Sequence, residues 1–128
     1  MRRRIAILSA ALALLAIAVP ARAEQKFLVF FHAWSAELEP TAQDVVNAAA
    51  AYAKANPGMR VEIFGFSSTT GSKQANLYLS LLRAQIVSDK LAEAGIEAGR
   101  IARVGEGSVN AVGSVEEARR VEIVVRAP

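Results

Sequence analysis

VEIFGFSSTTGSKQANLYLSLLRAQIVSDKLAEAGI, residues 61–96, decides how this 128-residue chain folds. It opens as a strand: within MRVEIFGF (59–66), Val61 and Ile63 alternate with Arg60 and Glu62, the period of a sheet with one buried face. It closes as a helix from Lys73 to Ala94, where Gly95 supplies the left-handed residue that commonly ends one. Between them GFSSTTGS (65–72) carries the consecutive hydroxyl residues Ser67, Ser68, Thr69 and Thr70 and no charge. A polar loop between a strand and a helix is an ordinary place for a ligand in an α/β domain.

Upstream, KFLVFFH (26–32) is a continuous apolar and aromatic run, suited to a buried strand. Residues 35–58 read as a helix: Pro40 fits a first turn, the body is Ala-rich, and Val45, Val46, Ala49 and Tyr52 share a broad face. Asn56-Pro57-Gly58 stops it. Downstream, RIARVG (100–105) reads as a third strand, a loop rich in Gly and Ser follows, and RRVEIVVR (119–126) reads as a fourth. The order β-α-β-α-β-β, α/β (α+β) in class, implies a sandwich of one sheet with both helices on one face.

The first 23 residues are expected to stand outside that domain. MRRR is a basic start, Ile5 to Val19 is apolar, and Ala21-Arg22-Ala23 is the small-x-small pattern of a signal peptidase site. The apolar stretch is short for a bilayer span, which needs about 20 residues. An export signal over 1–23 and a single domain over 24–128 follow, with no transmembrane span in the mature chain and a periplasmic location.

Cleavage changes the charge. The whole chain is +3 with 15 Lys and Arg, but Arg2, Arg3, Arg4 and Arg22 leave with the signal, so 11 basic residues face 12 acidic ones. A near-neutral domain has no basic excess with which to neutralise phosphates, which argues against nucleic acid as a partner. The chain holds no Cys, so no disulfide and no lipidated cysteine are expected, and stability rests on the core.

Catalysis finds no support in the residues. The single histidine, His32, would need Asp44 or Asp89 and a loop serine for a triad, and no Gly-x-Ser-x-Gly turn is present. The 65–72 loop lacks the Gly-Lys-Ser/Thr of a phosphate loop. One histidine leaves carboxylates alone to complete a metal site, so neither metal nor cofactor is expected.

The 61–96 stretch, with GEG (105–107) and ARRVEIVV (118–125), resembles the OmpA-like, or OmpA/MotB-type, peptidoglycan-associating domain. Gly65, Phe66, Ser67, Gly71, Asn76, Leu79, Ser80, Arg83 and Ala84 fall in register with the family pattern, as do Arg119 to Ile123. The resemblance covers nearly all of residues 24–128 and implies a mixed four-stranded sheet. It also implies a non-catalytic role in which the helix arginine, here Arg83, takes the carboxylate of the diaminopimelate residue of a cell-wall stem peptide. An aspartate after the strand takes the ammonium of the same residue.

That aspartate position is Ser68 here. A hydroxyl supplies no charge, so the loss is expected to weaken binding by about 1–3 kcal/mol. The resemblance makes Ser67, Ser68, Thr69, Asn76, Arg83 and Arg120 ligand-binding candidates, although Asn76 also suits tying the loop and Thr69 suits a plain turn. Without the resemblance, Arg83 reads as a solvated helix side chain whose removal leaves stability nearly unchanged. The rim departs from the family elsewhere, with His32 and Trp34 after the first strand, Ala118 before the arginine pair, and Asn110 near the place of a common proline. Leu79 to Leu82 form a run wider than one helix face. Leu81 and Leu82, with Trp34, are therefore candidates for a surface toward another envelope protein, the alternative to peptidoglycan as partner.

Overall fold

The alternation at 60–67 becomes the strand on which the domain is built. A computed structural model describes residues 23–108 and 115–128. Its elements run β1 (Gln25–Phe30), α1 (Pro40–Ala55), β2 (Arg60–Ser67), α2 (Lys73–Glu93), a 3-10 turn (Ala98–Arg100), β3 (Ile101–Ser108), a short α3 (Val115–Ala118) and β4 (Arg120–Arg126). The sheet order is β1-β4-β2-β3. β4 pairs antiparallel with β1 and β2, whereas β3 joins β2 in parallel across α2, so the sheet is mixed as expected.

Register follows the apolar residues. Ile123 sits opposite Phe27 on one side and Ile63 on the other, and Val125 opposite Val61, so one face collects Val29, Val61, Ile63, Val121, Ile123 and Val125. Ala42, Val46, Ala49, Ala50 and Ala53 of α1 and Ala84, Val87 and Leu91 of α2 pack onto that face. The small alanine side chains let α1 lie close to the sheet, and apolar burial supplies the main driving force.

Three features differ from the expectation. The 26–32 run is not buried on both faces: β1 is an edge strand, and Leu28 and Phe30 are exposed because both helices cover the other side. β3 continues through the glycine-rich GEGS, pairing Gly65 with Gly105, Phe66 with Gly107 and Ser67 with Ser108 across a register shift. The third is α3, which precedes β4 unannounced. Asn110 lies outside the described residues.

α2 presses directly on β2 and β3. A Cβ at Gly65 would lie 2.0 Å from the Ser80 carbonyl oxygen, so only glycine fits there. Ser80 is fully buried: its hydroxyl donates to the Leu77 carbonyl at 2.7 Å and accepts from the Gly107 amide at 2.9 Å. Ser72 begins the helix by accepting from the Ala75 amide at 3.1 Å.

Arg83, expected on a solvated face, is instead fully buried. Its Nε donates to the Ser35 carbonyl at 2.8 Å, and its two terminal nitrogens to the carbonyls of Phe66 at 3.1 Å and His32 at 3.0 Å. Its guanidinium lies 5.1 Å from the Phe31 ring centroid. One side chain thus binds the loop after β1 to the end of β2, across sequence separations of 51 and 17 residues. The helix pattern marked Arg83 as solvated because it could not show that two chain segments converge over it.

Arg83→Ala is therefore expected to lower unfolding free energy by about 3 kcal/mol, since three main-chain carbonyls from two chain segments lose their shared donor. For a domain of this size that lowers Tm by about 10–20 °C in a thermal melt. A Tm equal to wild type would restore the solvated-charge reading. Gly65→Ala should cost about 2 kcal/mol or more in the same measurement, because backbone faces backbone and neither yields easily.

Candidate functional site

The same convergence leaves a small concavity of about 70 Å³ at the carboxyl end of β2. Its walls are Ala33 and Trp34 from the loop after β1, Ser68 and Thr70 from the loop after β2, Asn76, Leu79 and Arg83 from α2, and Arg119 just before β4. Asn76, Leu79 and Arg83 are spaced three and four residues apart, which puts them on one face of α2.

The loop is held from beneath. Asn76 is 1% exposed, and its amide nitrogen donates to the Thr70 carbonyl at 2.7 Å and the Ser72 carbonyl at 2.9 Å. Asn76 is therefore the tie that shapes the loop, as well as a wall residue. Ser67 is fully buried and donates to the Asn76 carbonyl at 2.9 Å, so its hydroxyl faces α2 and not the concavity. Thr69 is exposed and outside the lining. Ser68 is half-buried in the wall.

Trp34 occupies left-handed backbone, with φ of 53°. A non-glycine residue there carries a cost of about 1 kcal/mol or more. The indole rests on Gly71, itself at φ 83°, where a Cβ would stand 2.8 Å from the ring. Trp34 is 55% exposed, leaving much of its ring open at the mouth.

Electrostatically the concavity is one-sided. Burial, and then the neighbouring Arg119 charge, lowers the Arg83 pKa from the usual guanidinium value to about 10. Arg83 stays charged at neutral pH, and the cost of burying it is fully present below about 10 and fades as pH rises from there toward the usual guanidinium pKa. The Arg119 Nε is buried and finds no hydrogen-bond partner among the described residues. No Asp or Glu lines the concavity, and the undescribed stretch 109–114, VNAVGS, contains none. Arg119 pairs with the carboxylate of Glu116 at 3.9 Å, which is 71% exposed and lines a neighbouring cleft of about 470 Å³ that Arg119 also lines. That cleft also holds His32, Glu39 and the Phe30 and Phe31 rings.

Arg120 is not brought to this site. It lies on the sheet face away from the helices, 4.3 Å over the Phe66 ring and 3.5 Å from Glu122. Arg119 takes the place at the concavity. The parity of β4 carried this signal: Val121, Ile123 and Val125 face the helices, so Arg119 shares their side and Arg120 does not. The proposed partner surface is also split, here between two places along α2. Trp34 belongs to the concavity, whereas Leu81 packs beside Gly105 of β3. Leu81 and Leu82 are exposed as expected, joined by Leu77 and Tyr78 one turn earlier. No metal-binding cluster occurs among the described residues, and no helix among them is long and apolar enough to cross a membrane.

Comparison with known proteins agrees with this architecture. Residues 30–122 match the OmpA family. Over 96 residues the chain is 43% identical to the peptidoglycan-binding protein ArfA of Mycobacterium tuberculosis, covering 70% of this chain and 29% of that protein. It is 33% identical to the probable lipoprotein YiaD of Escherichia coli over 103 residues, covering 76% of this chain and 47% of that protein. The chain thus spans less than half the length of these relatives. The fold is that of the peptidoglycan-associated lipoprotein of Burkholderia pseudomallei, with a TM-score of 0.71, 24% identity and coverage of 78% and 90% of the two chains. It also superposes on the OmpA-like domain of FopA1 from Francisella tularensis, with a TM-score of 0.73, 23% identity and coverage of 82% and 73%. With its family match spanning most of the described residues, the chain belongs to the OmpA family.

Proposed function

We propose that this domain is a non-catalytic binding module of the periplasm that associates without covalent bonds with peptidoglycan. The observation that carries the proposal is Arg83: a charged guanidinium inside a concavity, with donors beyond the three bound to carbonyls, beside the hydroxyl of Ser68. Such a fork is suited to the carboxylate of a stem-peptide residue such as diaminopimelate. The ArfA relatives, named as peptidoglycan-binding proteins, support the reading. Export with cleavage after Ala23 belongs to the same proposal.

Ser68 offers a hydroxyl where the family has a carboxylate, so attachment is weak compared with a pocket carrying both charges, by about 1–3 kcal/mol. A second reading keeps the fold and changes the partner. Leu77, Tyr78, Leu81 and Leu82 are 44–71% exposed over two turns of α2, an apolar surface suited to another envelope protein.

Sedimentation with purified cell-wall sacculi tests the first reading. Arg83→Ala is a poor probe because it should loosen the fold, so the concavity is better filled by Ser68→Phe, which leaves the Arg83 hydrogen bonds in place. Wild type should co-sediment and Ser68→Phe should stay in the supernatant. Leu81→Glu/Leu82→Glu should sediment like wild type. Failure of wild type to sediment would remove the peptidoglycan reading. Loss in the leucine variant with retention in Ser68→Phe would move the contact to α2. Mass spectrometry of the exported protein should find Glu24 as the first residue, and an intact Met1 would contradict cleavage.

A further inference from the structure

We infer that the Arg83 concavity selects a carboxylate whose neighbouring nitrogen is neutral, so that its ligand is an N-acylated amino acid and not the free zwitterion. This rests on the proposed stem-peptide site and names the chemical form that it takes. In a stem peptide the acylated form arises where the amine of a diamino residue has been consumed in a cross-link, while the adjacent carboxylate remains.

The charges of the site carry the inference. Two guanidinium groups, Arg83 and Arg119, line a space of about 70 Å³, and the other polar wall groups are the neutral Ser68, Thr70 and Asn76. Asn76 has committed its amide nitrogen to two carbonyls. Arg119 keeps a buried Nε without a partner among the described residues, a donor that an entering carboxylate oxygen satisfies. An ammonium carried on the next carbon meets two like charges and no carboxylate within the concavity. Like charge at such range disfavours the cation strongly where water is excluded.

Two alternatives for the ammonium are weaker. Glu116 lines the neighbouring cleft and not the concavity, is largely exposed, and already pairs with Arg119 at 3.9 Å. The open ring of Trp34 offers an aromatic face, but that attraction is modest at an exposed site and competes with both arginines. The amide of an N-acyl group suits that ring better, being flat and uncharged. The indole is already fixed against Gly71, so covering it orders no new side chain.

The test uses three seven-carbon diacids: pimelate, diaminopimelate and its mono-N-acetyl form. Binding is followed by NMR at the Arg83 Nε–H and the Trp34 indole N–H of the 24–128 protein as exported. Mono-N-acetyl-diaminopimelate and pimelate should move both resonances at concentrations about tenfold or more below diaminopimelate. Ser68→Asp should narrow or invert that order by returning an anion to the wall. Arg119→Gln should weaken the acylated diacid more than diaminopimelate. Diaminopimelate binding as tightly as its acylated form would overturn the inference, and loss of that binding in Trp34→Leu would assign the ammonium to the ring. Unmoved resonances with all three diacids would also overturn it. The sacculus experiment separates the two layers: sedimentation without acyl preference sinks only the inference, and acyl preference without sedimentation sinks only the peptidoglycan reading.

Discussion

One buried cation, with no carboxylate partner among the described residues, organises this domain. Arg83 enters from α2 into the space where the loop after β1 and the end of β2 meet, and three main-chain carbonyls from those segments are its acceptors. Burying a guanidinium is costly unless its donors are satisfied, so the arrangement is stable only with all three carbonyls in place. The requirement runs both ways. The residue that closes the loops also supplies positive charge to the concavity they enclose, so the charge there cannot be removed without loosening the fold.

The approach of α2 to the sheet sets where that cation falls. Gly65 lets the Ser80 backbone come close to β2, and Ser80 then joins the helix to β3 through Gly107. With a side chain at Gly65 the helix would stand away, and Arg83 would lose its reach to Phe66 and His32. On the opposite face of the sheet the described residues place charge pairs: Lys26 and Arg120 both approach Glu122, at 3.6 and 3.5 Å, and Arg126 holds Glu62. Val124 stays buried on that face beneath long polar side chains.

Most of the fold was legible in residues 61–96 and in the alternation of RRVEIVVR. A period of two against a period near 3.6 is a local property, and Pro40, Gly95 and Asn56-Pro57-Gly58 mark ends through their own backbone limits. The site was legible in part. The resemblance named Ser68, Asn76 and Arg83, and the structure brings them to one concavity, Ser68 from the loop after β2 and the other two from one face of α2. The burial of Arg83 was not legible, since it comes from the His32 and Ser35 carbonyls, some 50 residues away in the chain. The resemblance pointed to Arg120, although the parity of Val121 and Ile123 puts Arg119 on the helix side. Trp34 was placed among exposed leucines from its apolar character alone, whereas left-handed backbone turns it onto Gly71 at the mouth.

The claim that one arginine both closes the fold and receives the ligand is tested most directly by hydrogen exchange at the Arg83 Nε–H, with and without soluble cell-wall stem peptide. In the free protein this proton, bonded to the Ser35 carbonyl, should exchange far more slowly than those of exposed arginines such as Arg60 and Arg103. Stem peptide should slow it further. Exchange at the rate of Arg60 would contradict the buried clamp, and slow exchange that stem peptide leaves unchanged would separate the clamp from the binding site.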